Sequence, residues 1–244
     1  HTRDLRAAAS ALADTARADV VVIKRGALGA LIHEAGGSTA LIGPYQTDRV
    51  WPIGSGDVFS AVFAWAWLDE NRPAVEAANL ASAAASAWCG ERRLPIGLRP
   101  ACQPHEIACG TLLPAREDPV RLYLAGPFFN AGERWLVSLA YHALEGLGAS
   151  VFSPMHHVGL GGDEVAQPDI DGLMSCQAVL ALLDGADPGT LFEMGYAAAR
   201  SIPRVGYAER PGRDEYKMIR GLGTFLTNDM STAVYRAIWA GMTG

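Results

Sequence analysis

Four side chains in the second half of the chain have the types and spacing to act on one small molecule: Tyr123, Asp169, Asp187 and Glu193. Three carboxyl groups suit acid–base work, provided the environment keeps one ionised and another protonated. Glycines lie beside them, at Gly126, Gly185 and Gly189, where a ligand could approach the backbone. Singly, each has a structural explanation. Thr190-Leu191-Phe192-Glu193 matches a capping box, with Glu193 satisfying a helix start. Asp187 suits a turn, Asp169 a helix start and Tyr123 a core. The first half holds a second constellation, Gly54-Ser55-Gly56-Asp57 ahead of an apolar helix. Backbone N–H groups there could stabilise a transferring phosphoryl group, and Asp57 could accept a hydroxyl proton. A Gly-rich turn with an aspartate cap explains those four residues equally well.

These residues need a scaffold, and the apolar pattern predicts one. Before residue 113, a β-branched strand at Asp19–Ile23 precedes a hairpin of Ala30–His33 and Thr39–Ile42 around Gly36-Gly37. Helices are expected at Val58–Leu68 and Ala74–Trp88. Pro114 and Pro119 bracket a charged run, which reads as a linker over 114–119 between domains at 1–113 and 120–244. After it, strands at Arg121–Ala125, Ser150–Phe152, Ala178–Leu183 and Pro203–Tyr207 alternate with helices at Glu133–Leu147, Asp169–Cys176 and Thr190–Arg200. Uniformly apolar strands alternating with helices predict a parallel sheet covered on both faces. In such sheets ligands bind beyond the carboxyl ends of the strands, where Tyr123, Asp187 and Glu193 fall. Glu193 is expected in the first turn of its helix, where the dipole would favour an ionised carboxylate.

Half of the 244 residues are apolar, 19% are charged and the formal net charge is -6. An acidic chain without clustered Lys and Arg argues against a nucleic-acid surface and leaves small molecules as ligands. The apolar run Phe59–Leu68 is too short to span a bilayer, and no signal peptide is visible, which makes a cytoplasmic enzyme the expectation. Cys89, Cys102, Cys109 and Cys176 show no metal or redox spacing and are expected as free thiols. His156 and His157, read in an extended stretch, would face opposite ways and make poor partners for one metal. Gly159–Gly162 reads as a flexible loop.

Tyr123-Leu-Ala-Gly126-Pro127, then Asp169, then Asp187-Pro-Gly-Thr-Leu-Phe-Glu193-Met-Gly-Tyr-Ala resembles the nucleoside 2-deoxyribosyltransferase family over roughly residues 120–208. The resemblance implies a flavodoxin- or Rossmann-like α/β domain and roles for its residues. Glu193 would be the nucleophile of a retaining transfer, Tyr123 its orienting hydroxyl and Asp169 the acid that protonates the departing base. Asp187 would contact the deoxyribose, with Gly126, Pro127, Phe128 and Gly189 around the substrate. A neighbouring subunit of a homo-oligomer would supply polar contacts, placed here at Met218 and Asn228 on a loose match. No cofactor and no metal are implied. The partners would be nucleosides and nucleobases, with no nucleic acid or membrane.

Val20-Val-Ile-Lys-Arg-Gly-Ala-Leu-Gly-Ala, the hairpin and Gly54-Ser-Gly56-Asp57 resemble the C-terminal part of ribokinase-like, PfkB-type sugar kinases over residues 15–95. That implies a partial α/β/α unit in which Asp57 is the catalytic base and the glycines form an anion hole. A start at His1 points to a missing N-terminal portion, so this half is not expected to phosphorylate a sugar unaided. The leading expectation is transfer of 2-deoxyribose between nucleobases in nucleoside salvage. Alternatives are hydrolysis of nucleosides or nucleoside 5′-monophosphates, and a kinase acting through Asp57.

Overall fold

The computed structural model describes residues 4–212 and 214–243. The chain divides into two compact units, His1–Glu117 and Asp118–Gly244.

The first unit opens with α1 (Leu5–Ala16), whose N-terminus is closed by the Asp4 carboxylate accepting from the Arg6 and Ala7 amides. Strands β1 (Val20–Lys24), β2 (Ala30–Glu34) and β3 (Thr39–Ile42) form an antiparallel sheet in that order. A short β4 (Tyr45–Gln46) leads to α2 (Ser55–Ala64) and α3 (Ala74–Glu91). The single-turn α4 (Pro104–Ile107) precedes β5 (Thr111–Leu112), which pairs with β4. Helix α1 packs on β1 and β2, while α3 packs on β2 and β3. Alternation along β2 sends Ile32 into the core shared with α2 and α3. Ala77, Ala78, Ala81 and Ala84 are fully buried on α3, and their small side chains let α2 pack closely.

The second unit follows the predicted alternation: β6 (Arg121–Ala125), α5 (Ala131–Gly146), β7 (Ser150–Phe152), α6 (Pro154–His157), α7 (Ala166–Met174), β8 (Ala178–Leu182), α8 (Pro188–Ala199) and β9 (Arg204–Tyr207). Then come α9 (Lys217–Gly221), β10 (Phe225–Thr227) and α10 (Met230–Thr243). All neighbouring pairs in the five-stranded sheet are parallel, in the order β10-β9-β8-β6-β7. Helix α10 packs on β8, β9 and α5, and α8 packs on β8, β9 and α7. Every residue of β8 is buried, as a strand covered on both faces must be. The chain order reverses between β6 and β8. A crevice opens at such a point beyond the strand ends, and it is where doubly wound sheets bind ligands.

The structure corrects four local expectations. Helix α8 starts at Pro188, so Glu193 lies in its second turn and not its first. The cap is Asp187, because proline suits the first helical position and the Asp187 Oδ2 accepts from the Thr190 amide at 2.7 Å. Thr190 thus receives the cap instead of forming a capping box with Glu193. Helix α7 begins at Ala166, ahead of Asp169. His156 and His157 belong to one helical turn, not an extended stretch, because Ser153-Pro154 starts a helix. Strand β10 and helices α1 and α10 lie outside the elements anticipated; Phe225–Thr227 is too short for its period to register.

Candidate active site

Tyr123 lies on β6 beside Phe152 of β7 and Val179 of β8, on the face covered by α7 and α8. It is fully buried, and its hydroxyl donates to Glu193 Oε1 at 2.5 Å. Burial and the neighbouring Glu193 carboxylate push the phenol well above its ordinary range, so it remains a proton donor here. The Glu193 carboxyl is pushed up to about 7. Burial is the largest cause; the Tyr123 hydrogen bond pulls the other way, and Asp169 and Asp187 add like-charge repulsion. The helix-start stabilisation expected for Glu193 is therefore absent, and burial dominates.

Asp169 extends from α7, and burial raises its carboxyl above the ordinary value. Its Oδ1 is buried without a hydrogen-bond partner among the described residues. Such an atom normally finds a partner, so a donor on a ligand would meet an unmet need. Asp187 is held by two bonds from Thr190, the amide at 2.7 Å and the hydroxyl at 2.9 Å, both to Oδ2. The preceding turn is built on positive φ angles at Gly185 (+90°) and Ala186 (+49°). It bends the chain sharply enough for Asp187 to cap α8 and act electrostatically on Glu193.

The other expected residues are placed unevenly. Gly126 follows β6 where a Cβ would lie 3.1 Å from the Leu182 side chain, so the loop passes tightly over the end of β8. Pro127 is buried and Phe128 half-buried, stacked on Phe129 with centroids 5.6 Å apart. Gly189 is exposed in the first turn of α8. Met218 on α9 and Asn228 after β10 are both exposed. Phe152 and Gly172 went unnoticed in the sequence. The ring of Phe152 stacks on Tyr123 at 5.6 Å and on His157 at 4.9 Å. A glycine inside α7, three residues after Asp169, was the one signal for this contact. His156 stacks on Tyr141 at 4.0 Å, and burial lowers its imidazole below the ordinary value.

In the first unit, Gly54 caps α2 with φ +84° beside the Trp88 ring, and Asp57 is exposed in the first turn. The Lys24 Nζ donates to the Gly56 carbonyl and the Ser60 hydroxyl. The four cysteines are free thiols. Among the described residues, no group of three or more His, Cys, Asp or Glu side chains could hold a metal ion. No helix among them is long and apolar enough to cross a membrane.

Residues 122–222 match the family model of nucleoside 2-deoxyribosyltransferases, and residues 1–96 match that of pfkB family carbohydrate kinases. The second unit is thus nucleoside 2-deoxyribosyltransferase-like, an enzyme unit of glycosyl-transfer type, and it follows a pfkB-like segment. Among solved structures, the chain is similar to a 2-deoxyribosyltransferase from Bacillus psychrosaccharolyticus, with 26% identity and a TM-score of 0.41, over 46% of this chain and 88% of that one. A 2-desoxiribosyltransferase from Leishmania mexicana has 26% identity and a TM-score of 0.32, over 36% of this chain and 64% of that one. A conserved protein from Enterococcus faecalis V583 has 17% identity and a TM-score of 0.41, over 49% and 97%. No curated protein matches the chain.

Proposed function

We propose that the second unit, read as residues 120–244, moves 2-deoxyribose between nucleobases through a covalent intermediate on Glu193. One observation carries this reading: a half-buried carboxyl group, held at 2.5 Å by the hydroxyl of a fully buried tyrosine, on a doubly wound sheet whose strand order reverses at that tyrosine's strand. In its ionised form Glu193 attacks the anomeric carbon as the bond to the base breaks, and the oxocarbenium-like charge is met by the carboxylate. The Tyr123 hydroxyl fixes which carboxylate oxygen is free to react. Asp169 in its protonated form delivers a proton to the ring nitrogen of the departing base and recovers one from the incoming base. Its raised carboxyl and unpartnered Oδ1 support that role. Asp187 contacts the sugar while capping α8, and Gly126, Pro127, Phe128 and Gly189 border the substrate.

In this reading Met218 and Asn228 serve a neighbouring copy of the chain, whose sugar site they complete in a homo-oligomer. Exposure of both is consistent with that assignment. No cofactor enters the chemistry, and the setting is nucleoside salvage in the cytoplasm. Gly54, Gly56 and Asp57 of the pfkB-like segment, read as residues 1–113, take no part.

Incubation with a deoxynucleoside and a second free base, followed by chromatography, tests the proposal. A new deoxynucleoside that vanishes in Glu193→Ala is expected. Free base and sugar alone would make the protein a hydrolase, and full activity in Glu193→Ala would remove the nucleophile from the mechanism.

A further inference from the structure

Asp169 owes its position to its helix rather than to bonds of its own. Its Oδ1 has no partner among the described residues, so the seat of α7 decides where the carboxyl stands. That seat is unusual at Gly172, three residues further on and therefore on the same side of the helix. A Cβ built there would lie 2.3 Å from both Cε1 and Cζ of Phe152. The α7 backbone thus rests directly against the edge of the Phe152 ring, with no room for any side chain between them. The same ring is the lateral neighbour of Tyr123 in the β6–β7 register and stacks on it, 5.6 Å between centroids and 15° between planes. It also stacks on His157 at 4.9 Å and 18°, so it cannot yield to a push from α7 without disturbing its neighbours. The Ser175 hydroxyl and the Cys176 thiol both donate to the Gly172 carbonyl, at 2.6 and 3.2 Å, and pin this turn of the helix.

We propose that Phe152 is a positioning residue for the transfer reaction: wedged against Gly172, its ring sets the separation between the Asp169-bearing helix and the Tyr123–Glu193 pair. The inference rests on the reading of Glu193 as nucleophile and adds a residue that acts through Tyr123 and α7 without touching substrate. The groups that face Glu193 are Tyr123 from β6, Asp169 from α7 and Asp187 from the turn before α8. Cys176 lies near Tyr123, and His157 of α6 stacks on the Phe152 ring. Phe152 also excludes water from Tyr123, and burial is the largest cause of the raised Glu193 carboxyl.

The test uses the full chain and the variants Phe152→Leu, Gly172→Ala and the double substitution. The Glu193 carboxyl is titrated by carbon NMR, assigned with Glu193→Gln, and kcat and KM are measured beside it. In Phe152→Leu the Glu193 midpoint is expected to move down from about 7 towards the ordinary carboxylate range. Its kcat should fall about tenfold with little change in KM. Gly172→Ala drives the ring towards Tyr123 and should lower kcat by about 10²-fold, the size expected for a misplacement of about 1 Å. Leucine at 152 should then restore part of that loss, because the added methyl occupies space the ring has given up.

A Phe152→Leu variant that titrates and turns over like the parent overturns the proposal, as do losses that simply multiply in the double variant. Should Gly172→Ala fail to fold, the Phe152→Leu titration decides alone. If the midpoint moves as described but Glu193→Gln keeps full activity, the nucleophile assignment falls and the Phe152 contact stands.

Discussion

A carboxyl group that is buried among other carboxyl groups holds its proton longer than an exposed one, and Glu193 shows what that costs and supplies. Its folded midpoint of about 7 lies above the ordinary value of 4.5, so between those two pH values the folded chain binds more protons than the unfolded one. Stability from this group is complete below pH 4.5 and is lost as pH rises through 7. Glu193→Gln should therefore stabilise the second unit by about 3 kcal/mol at pH 8 and by nothing well below pH 4.5, measured by denaturant unfolding at both. The same substitution should abolish transfer. A stabilising change that removes activity is what a reactive group held at a cost produces. In the proposed mechanism the productive state carries one proton between Glu193 and Asp169, so rate against pH should be a bell whose limbs belong to the pair. Tyr123→Phe removes the bond that lowers the Glu193 midpoint, so the bell should shift to higher pH on at least one limb. Loss of a charge-assisted hydrogen bond predicts a fall in kcat of about 10–100-fold, read from steady-state kinetics. A pH profile with both limbs unmoved by Tyr123→Phe would show that the hydroxyl does not govern Glu193.

Elements convert these residues into a site, and the start of α8 shows how. Tyr123 arrives from β6, Asp169 from α7 and Glu193 from α8, three elements that meet only because β8 lies between β6 and β9. Asp187 serves both levels, since the carboxylate that acts on Glu193 also closes the helix. Asp187→Ala should cost about 1 kcal/mol of stability through the lost cap, while Asp187→Asn should keep most of it. Both should lose transfer activity, and comparing their unfolding midpoints with their kcat values separates cap from sugar contact. Equal stability in the two variants would contradict the capping role. Strand assignments were legible because β8 is apolar throughout and β6 is apolar after Arg121. Glu193 was misplaced within its helix because two start signals overlap: Thr190 with Glu193, and Asp187 with Pro188. Their competition is settled by backbone geometry, here the Gly185-Ala186 turn that swings Asp187 over the first amides.

At the scale of the whole molecule, each unit has its own core. The first is built on Ile32, Leu80 and the alanines of α3, the second on Tyr123, Leu173, Met194 and their neighbours. Leu80→Ala should destabilise the first unit by about 2–5 kcal/mol, followed through Trp51, Trp65, Trp67 and Trp88, four of the six tryptophans. Deoxyribosyl transfer should persist in that variant at 25 °C. Asp57→Asn, on an exposed residue of the pfkB-like segment, should leave transfer unchanged. Loss of transfer in Asp57→Asn would tie the pfkB-like segment to the transfer reaction.

Residue order alone determined that the chain has two differently built halves, that the second is a parallel α/β sheet, and that a tyrosine lies on its first strand with three acids on the segments that follow its strands. Those properties rest on hydrophobic period, proline and glycine placement, and motif spacing, which are local along the chain. Tertiary structure decided the rest: the 2.5 Å bond between Tyr123 and Glu193, the proton held up to about pH 7, the unpartnered Asp169 oxygen and the contact of Phe152 with Gly172. That hydrogen bond joins residues 70 positions apart. Desolvation depends on what surrounds a group in space, which no spacing along the chain specifies.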